Sequence, residues 1–263
     1  MNEAGCEVAR QEFEIGGQTP RQGVNVIGAL GGKVRGAPAV LVGAHYDTRP
    51  NSPGADDNAS GVAAMLECAT ALSGATLERP LIFAAFDAEE RQDPLDGLWG
   101  STAYVRSLSR PADVYAAFIL EMVGCSTPPG SQKVPTGFKL LWPRTARSVA
   151  KRRYAGDFLV ALCRGRSGRA ARLLAASSRG AGGPHVYPLP FPRWAPVPRD
   201  LLRSDHAPFW AAGIPAVLVG DTANYRNPHY HLPSDTTETV DLVMVEGTAR
   251  ALATTVAKLA AKA

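Results

Sequence analysis

Short apolar runs alternate with amphipathic stretches along much of the chain. Four runs are continuously apolar, at residues 39–44, 81–86, 116–120 and 216–219. An uninterrupted apolar run of this length, without alternating polar positions, is typical of a strand that is covered on both faces. The pattern therefore predicts buried strands at these four places.

Two further stretches repeat apolar residues at helical spacing. Residues 58–72 place apolar side chains on one face, with Asp57 or Asn58 available as the N-cap. Near the end of the chain, apolar residues recur at intervals of four and three: Val245, Ala249, Leu252, Val256 and Leu259. The alternation of strands and helices predicts an α/β fold with a largely parallel sheet.

The composition narrows the class of protein. The chain has 263 residues, 45% hydrophobic and 20% charged, which is typical of a globular protein and excludes disordered and collagen-like chains. We expect a single domain over residues 1–263. No apolar run approaches the roughly 20 residues that span a bilayer, so no membrane span is predicted.

The sequence says less about compartment and assembly. The first 17 residues carry acids where a signal peptide needs a basic and then an apolar region, so we expect no export signal in this chain, which favours the cytoplasm. The four cysteines lie far apart without a CxxC pair, unlike a disulfide scaffold or a cysteine zinc site. The oligomeric state is left open.

A basic and proline-rich excursion occupies about residues 131–200. Residues 139–179 hold 11 Lys and Arg against one acid, Asp157. No aromatic interleaving or nucleic-acid motif accompanies them, which favours a solvated basic surface over nucleic-acid binding. Six prolines follow between Pro184 and Pro198, and they predict an ordered surface loop rather than a central strand.

Residues that can bind a metal or transfer a proton follow directly after the predicted strands. His45 and Asp47 follow residues 39–44, Glu89 and Glu90 follow residues 81–86, and Glu121 follows residues 116–120. Side chains at the carboxyl ends of parallel strands converge on one crevice. Acids and a histidine gathered there are stabilised by a cation, so the sequence predicts a divalent metal site.

Each element has a structural alternative when it is taken alone. A His45–Asp47 pair is often only a structural hydrogen bond, and the acids Asp56 and Asp57 can serve as a helix cap. Adjacent carboxylates at a strand end, Glu89 and Glu90, have less structural purpose, because one can bind metal while its neighbour acts as a general base.

Six motifs, in this order, resemble the co-catalytic zinc aminopeptidase family, which also contains glutamate carboxypeptidase II and glutaminyl cyclase branches. They extend over about residues 24–258, with the basic and proline-rich middle matching weakly. The motifs are HYDT at His45, GADDNASG with Asp56, DAEE at Asp87, LEMVG at Leu120, SDHAPFW at Ser204 and YHLPSDT at Tyr230.

The resemblance implies a three-layer α/β/α sandwich with a mixed, mostly parallel sheet, and a site for two zinc ions. Carried over by position, His45, Asp56 and Glu121 would hold one ion. Asp56, Glu90 and His231 would hold the other, with Asp56 shared. Some relatives have a cis peptide between the residues that match Asp56 and Asp57.

The resemblance also implies roles for the remaining residues. Glu89 would be the general base, and Asp47 would orient His45. Tyr230 would bind substrate and stabilise the oxyanion, as in the carboxypeptidase branch, because the bacterial relatives' tyrosine is replaced here by Leu201. Position 121 is Glu where many relatives have Asp, so the ion at Glu121 is the less secure of the two.

These inferences predict a zinc-dependent exopeptidase, most simply an aminopeptidase acting on peptides. Three alternatives stay open. A glutaminyl cyclase would use one zinc and depart from the GADDNASG pattern, which this chain keeps. A non-catalytic binding module would have no need of Glu89. A nucleic-acid binder using residues 139–179 would show a steep salt dependence of binding.

Overall fold

The computed structural model describes residues 1–16, 21–90 and 97–262. Its strands form one sheet of eight, in the order β1-β2-β4-β3-β5-β8-β6-β7. The strands are β1 Glu7–Ile15, β2 Arg21–Leu30, β3 Ala39–His45, β4 Leu81–Phe86, β5 Val114–Glu121, β6 Phe158–Arg164, β7 His185–Phe191 and β8 Ala216–Gly220.

The helices cover both faces of this sheet. They are α1 Gly61–Ala71, α2 Trp99–Ser107, α3 Phe138–Leu141, α4 Pro143–Lys151, α5 Gly168–Gly180, α6 His206–Ala211 and α7 Leu242–Ala260. One face packs on α1, α5 and α7. The other face packs on α2 and α6 at its centre and on α3 and α4 at one end. The three-layer α/β/α sandwich is therefore confirmed.

The sheet is mixed and mostly parallel, as predicted. The central strands β4, β3, β5 and β8 are parallel neighbours. β1 and β2 add antiparallel strands on one side. On the other side β6 runs antiparallel to β8, and β7 runs parallel to β6. All four predicted strands lie in the sheet, and every residue of β3 is buried.

The closing helix is also confirmed. α7 begins after Asp241, whose side chain accepts hydrogen bonds from the backbone N–H groups of Val243 and Met244. Its apolar face is buried at Leu252 and Val256. Within the described residues, no helix combines the length and apolar character needed to cross a bilayer.

The predicted surface loop at 184–198 is wrong for its first half, because residues 185–191 form β7. A proline cannot donate to a ladder, but β7 is the last strand of the sheet and has an open side. The carbonyl of Pro190 faces that open side and accepts a hydrogen bond of 2.9 Å from the Trp142 indole. The prolines therefore suit an edge strand.

Candidate metal centre

The strand ends bring the predicted site residues to one edge of the sheet. His45 ends β3, Glu121 ends β5, and Glu89 and Glu90 follow β4. The imidazole of His231 arrives from the loop between β8 and α7. Three of the residues in and beside this site adopt positive φ, namely Ala88, Met122 and His231. Such strained positions persist where the surrounding structure fixes them, as at many functional sites.

Asp57 lies between the two histidines. Its Oδ1 is 3.3 Å from His45 Nε2, and its Oδ2 is 3.2 Å from His231 Nε2. Glu121 Oε1 lies 3.5 Å from the same nitrogen of His45. Glu90 Oε1 lies 3.1 Å from His231 Nε2. Two histidine–carboxylate groups thus share one aspartate.

These atoms fit a bound metal ion. Among the described residues, His45 Nε2 and both carboxylate oxygens of Asp57 are buried without a hydrogen-bond partner. In the described part of the chain, three groups have ligand atoms within 4.8 Å of one another, and two of them lie here: His45, Glu89 and Glu121, and Asp57, Glu90 and His231. Ligand atoms at zinc distances in tetrahedral geometry lie roughly 3.4 Å apart, close to the separations seen here. Nitrogen and oxygen donors also suit zinc.

The assignment of the shared carboxylate to Asp56 is wrong in geometry, because Asp56 points away from the histidines. Its Oδ1 accepts hydrogen bonds from the Gly124 N–H at 2.8 Å and from the Ser60 hydroxyl at 3.0 Å. Its Oδ2 accepts one from Asn227 at 2.7 Å. The cis peptide is likewise one residue further along, between Asp57 and Asn58.

Neighbouring groups hold the turn that carries Asp57. The carboxylate of Asp235 accepts hydrogen bonds from the backbone N–H groups of Asp56 and Asp57, at 2.9 and 3.1 Å. The Asn58 side chain donates to the Leu120 carbonyl at 2.9 Å and accepts from Met122 N–H at 3.0 Å. The turn is therefore tied to the end of β5, next to Glu121.

Asp47 orients both sides of the site. Its carboxylate accepts hydrogen bonds of 3.0 Å from the backbone N–H groups of Glu89 and Glu90. His45 Nδ1 lies 3.1 Å from the Asp47 carbonyl oxygen and 3.5 Å from its Oδ1. Burial acts to raise the pKa of Asp47, but the hydrogen bonds outweigh it and the pKa is lowered.

The acids raise the proton affinity of both histidines. Burial acts to lower the pKa of His45, but the charges of Glu121 and Glu89 outweigh it and raise that pKa well above its ordinary value. His231 is similar: burial opposes, while Asp57 and Glu90 raise its pKa to about 9. This edge of the sheet therefore attracts positive charge, which a metal ion can supply in place of protons.

Glu89 is a buried carboxyl beside these groups. Burial is the largest influence and raises the pKa of Glu89 well above its ordinary range. His45 opposes this shift, and the nearby Glu121 carboxylate adds to it. A carboxyl in such surroundings can accept and return a proton near neutral pH.

The other predicted residues are close by. The Tyr230 ring stacks on His231, with centroids 3.7 Å apart, and its hydroxyl accepts a hydrogen bond of 2.7 Å from Arg203. His206 lies 2.8 Å from the Leu201 carbonyl oxygen, which ties the start of α6 to the preceding turn.

Three neighbours of the site were missed from the sequence. Ser204 donates to Glu121 at 2.6 Å, and Asp235 holds the turn of Asp57. The guanidinium Nε of Arg49 lies 3.4 Å from both Glu90 and His231. Ser204 and Asp235 stand inside quoted motifs, which was the signal available for them, whereas nothing in the sequence singles out Arg49.

Comparison with known proteins identifies relatives. A model of peptidase family M28 matches residues 25–155 and 175–256. The chain is 33% identical over 244 residues to the uncharacterized protein YfbL of Escherichia coli (strain K12), covering 89% of this chain and 70% of that protein. It is 30% identical over 226 residues to aminopeptidase YwaD of Bacillus subtilis (strain 168), covering 81% of this chain and 40% of that protein.

Solved structures with a similar fold support the assignment to this family. BSAP, a zinc aminopeptidase from Bacillus subtilis, has a TM-score of 0.64 at 27% identity, covering 92% of this chain and 51% of BSAP. The present chain thus spans about half the length of that enzyme. The glutaminyl cyclase of Macrostomum lignano has a TM-score of 0.71 at 16% identity, covering 98% of this chain and 78% of that chain, and shows the shared fold alone. Family model, relatives and structures lead to one conclusion: the chain belongs to peptidase family M28.

Proposed function

We propose that this protein is a zinc-dependent exopeptidase that removes amino-terminal residues from peptides. The observation that carries the proposal is the position of Asp57 between two histidine–carboxylate groups, with the buried carboxyl of Glu89 beside them. The similarity to named aminopeptidases, YwaD and BSAP, supports the amino-terminal direction.

Two zinc ions fit the ligand set. His45, Asp57 and Glu121 would hold one, and Asp57, Glu90 and His231 would hold the other. Zinc in such a site polarises the scissile carbonyl and lowers the pKa of the attacking water.

The chain's own residues would supply the proton transfers. Glu89 takes a proton from the attacking water and passes it to the leaving amine, for which its raised pKa is suited. The Tyr230 hydroxyl accepts a hydrogen bond from Arg203, so its own proton is free to stabilise the oxyanion. The Asp47 carboxylate binds the backbone N–H groups of Glu89 and Glu90, which keeps the general base and a metal ligand in fixed positions.

Glu89→Gln tests this proposal, because it keeps the shape of the side chain and removes the proton acceptor. We expect kcat on leucine p-nitroanilide to fall by about 10²- to 10⁴-fold with zinc content unchanged. Glu67→Gln, on the exposed face of α1, serves as the control and should retain full activity. Near-normal turnover of Glu89→Gln would remove Glu89 from this role. Cyclisation of amino-terminal glutaminyl peptides without hydrolysis of other peptides would contradict the aminopeptidase proposal.

A further inference from the structure

An open groove lies beside α2 and α6, on a part of the surface separate from the metal centre. Two adjoining cavities, of about 630 and 370 Å³, form it and share Arg164 and Trp210 as lining residues. We call it the α2–α6 groove. None of the described residues that line it also lines the cavity beside Glu89 and His231. A ligand in this groove is therefore not a substrate held at the metal centre.

The floor of the α2–α6 groove is apolar. Val105 of α2 and Trp210 of α6 pack on the core beneath them. Leu98, Leu202 and Pro208 line the same cavity. All five residues are half-buried, so part of each apolar side chain remains in contact with solvent. A recessed apolar surface of this kind can bury apolar side chains of a partner.

The walls of the groove are positively charged. Its cationic lining residues are the arginines at positions 106, 164, 166 and 193. No described acid lines either cavity, and none of the four arginines forms an ion pair with a described residue. Unneutralised charge of one sign along a cleft attracts a partner of the opposite sign. The groove therefore favours an acidic partner.

The arginines at the end of β6 are held in position. The Arg164 guanidinium donates hydrogen bonds of 2.7 and 3.2 Å to the carbonyl oxygens of Arg193 and Ala195. Gly165 has a φ of +63°, and a Cβ there would lie 3.2 Å from Cδ of Arg193, so the Arg193 side chain lies over this turn. Trp194, the next residue along the chain, is 88% exposed. Arginine and tryptophan are enriched among the residues that dominate binding at protein interfaces.

We propose that the α2–α6 groove binds an acidic peptide segment of a partner protein, with apolar side chains on its floor and carboxylates on its arginines. A polypeptide fits this groove better than other polyanions do. A lipid surface is flat and cannot enter a cavity, and duplex nucleic acid offers phosphates to the arginines but no apolar side chains to the floor. The proposal is independent of the exopeptidase function, since the groove and the metal centre have no described lining residue in common.

Fluorescence polarisation with the zinc-loaded protein tests the proposal. The probe is a fluorescein-labelled peptide in which glutamates alternate with leucines, acetylated at its amino terminus so that an aminopeptidase cannot remove residues from it. We expect a Kd in the micromolar range, and the combined Arg166→Ala and Arg193→Ala substitutions should weaken binding by about 10-fold or more. Combined Arg172→Ala and Arg179→Ala, on the exposed side of α5 across the sheet, change the net charge equally and should leave the Kd unchanged.

Further arms of the experiment separate the groove from other binding modes. Serine in place of the leucines of the probe should weaken binding about 10-fold, because the floor then has no apolar partner. The Tm of each variant should match that of the unsubstituted protein, so that a loss of binding is not a loss of folding. Free L-leucine should not displace the probe, because the probe does not occupy the metal centre.

Four results would overturn the proposal. They are absence of binding at about 1 mM probe, equal weakening by the two arginine pairs, displacement by free L-leucine, and equal binding of the serine probe. Tighter binding of duplex DNA or of phosphatidylserine vesicles, lost in the variant with Arg166→Ala and Arg193→Ala, would overturn the choice of a peptide as the partner.

Discussion

The carboxylate of Asp57 lies next to both histidines of the site. Its two oxygens lie 3.3 and 3.2 Å from His45 and His231, while Asp56 is engaged by Ser60, Gly124 and Asn227. Adjacent aspartates therefore have different functions, one toward the metal centre and one within the supporting network.

Substitution of each aspartate separates these functions. Asp57→Asn removes the shared charge, and we expect zinc content to fall from about two ions per chain to one or none. Asp56→Asn keeps an oxygen for the Gly124 N–H, so zinc content should be retained while thermal stability falls. Elemental mass spectrometry after dialysis gives the zinc content. Loss of zinc in Asp56→Asn with retention in Asp57→Asn would restore the assignment made from the sequence.

The sequence could identify this pair but could not choose between its members. The motif places two carboxylates at the start of a helix, and either can face the strand ends. The choice depends on the backbone of the turn, where Asp57 and Asn58 leave helical geometry, with φ of −108° and −140°. His45 needed no such choice, because it is the single histidine at the end of β3.

The Nδ1 atoms of His45 and His231, which are the ring nitrogens turned away from Asp57, have different partners. A metal-bound neutral histidine carries its proton on the other ring nitrogen and donates it to an acceptor. His45 Nδ1 lies 3.1 Å from the Asp47 carbonyl oxygen, which is such an acceptor. His231 Nδ1 instead lies 3.4 Å from Arg49 Nε, which is a donor with a positive charge.

We therefore expect the zinc ion at His231 to bind more weakly than the ion at His45, which reverses the order expected from the sequence at Glu121. Arg49→Met removes the donor that opposes the His231 Nδ1 proton. The affinity for the zinc ion at His231 should therefore rise about 10-fold. Calorimetric titration of zinc into the metal-free protein resolves the two steps, and Arg106→Met, on α2, is the control. An unchanged or lower affinity for the more weakly bound zinc ion in Arg49→Met would contradict this expectation.

At the scale of elements, α6 begins with a histidine that is completely buried. His206 Nε2 lies 2.8 Å from the Leu201 carbonyl oxygen, and its ring packs edge-on against Trp210. Burial lowers the pKa of His206 to about 4. The folded protein therefore keeps this side chain neutral at pH values where the unfolded chain already binds a proton.

The stability that His206 provides should depend on pH in a defined direction. Its folded pKa of about 4 is below the ordinary histidine pKa of 6.5, so the contribution is complete above pH 6.5 and is lost as pH falls toward 4. The decrease in stability that His206→Gln causes should be about 2 kcal/mol smaller at pH 5 than at pH 7.5. Urea denaturation of the metal-free proteins measures it. An equal difference at both pH values would show that His206 does not titrate in this range.

Elements with buried, continuous apolar runs could be predicted, and edge elements could not. β3, β4, β5 and β8 are covered on both faces, so their sequences carry a strong signal. β1 is an edge strand with a single buried residue, Ile15, and its pattern is correspondingly weak. β6 does contain a continuous apolar run, but it lies inside the basic segment, whose charge pattern favoured a surface excursion.

At the scale of the molecule, the order of the strands explains where the site lies. The parallel strands β4, β3 and β5 end at the same edge, and β8 and β6 extend this edge toward an apolar pocket lined by Phe138, Trp142, Val160 and Leu189. The sequence motifs predicted the fold and the convergence of these ends. They could not predict the pocket, because its walls come from β6, β7, α3 and α4, which meet only in the folded protein.

The central claim is that a pair of zinc ions in this centre supports peptide hydrolysis, and one titration tests it most directly. The metal-free protein would be titrated with zinc while bound zinc and hydrolysis of leucine p-nitroanilide are measured on the same samples. We predict about two ions per chain at saturation, with hydrolysis appearing as the centre fills. Saturation of both sites without hydrolysis of any unblocked peptide, or no zinc retained at all, would contradict the account.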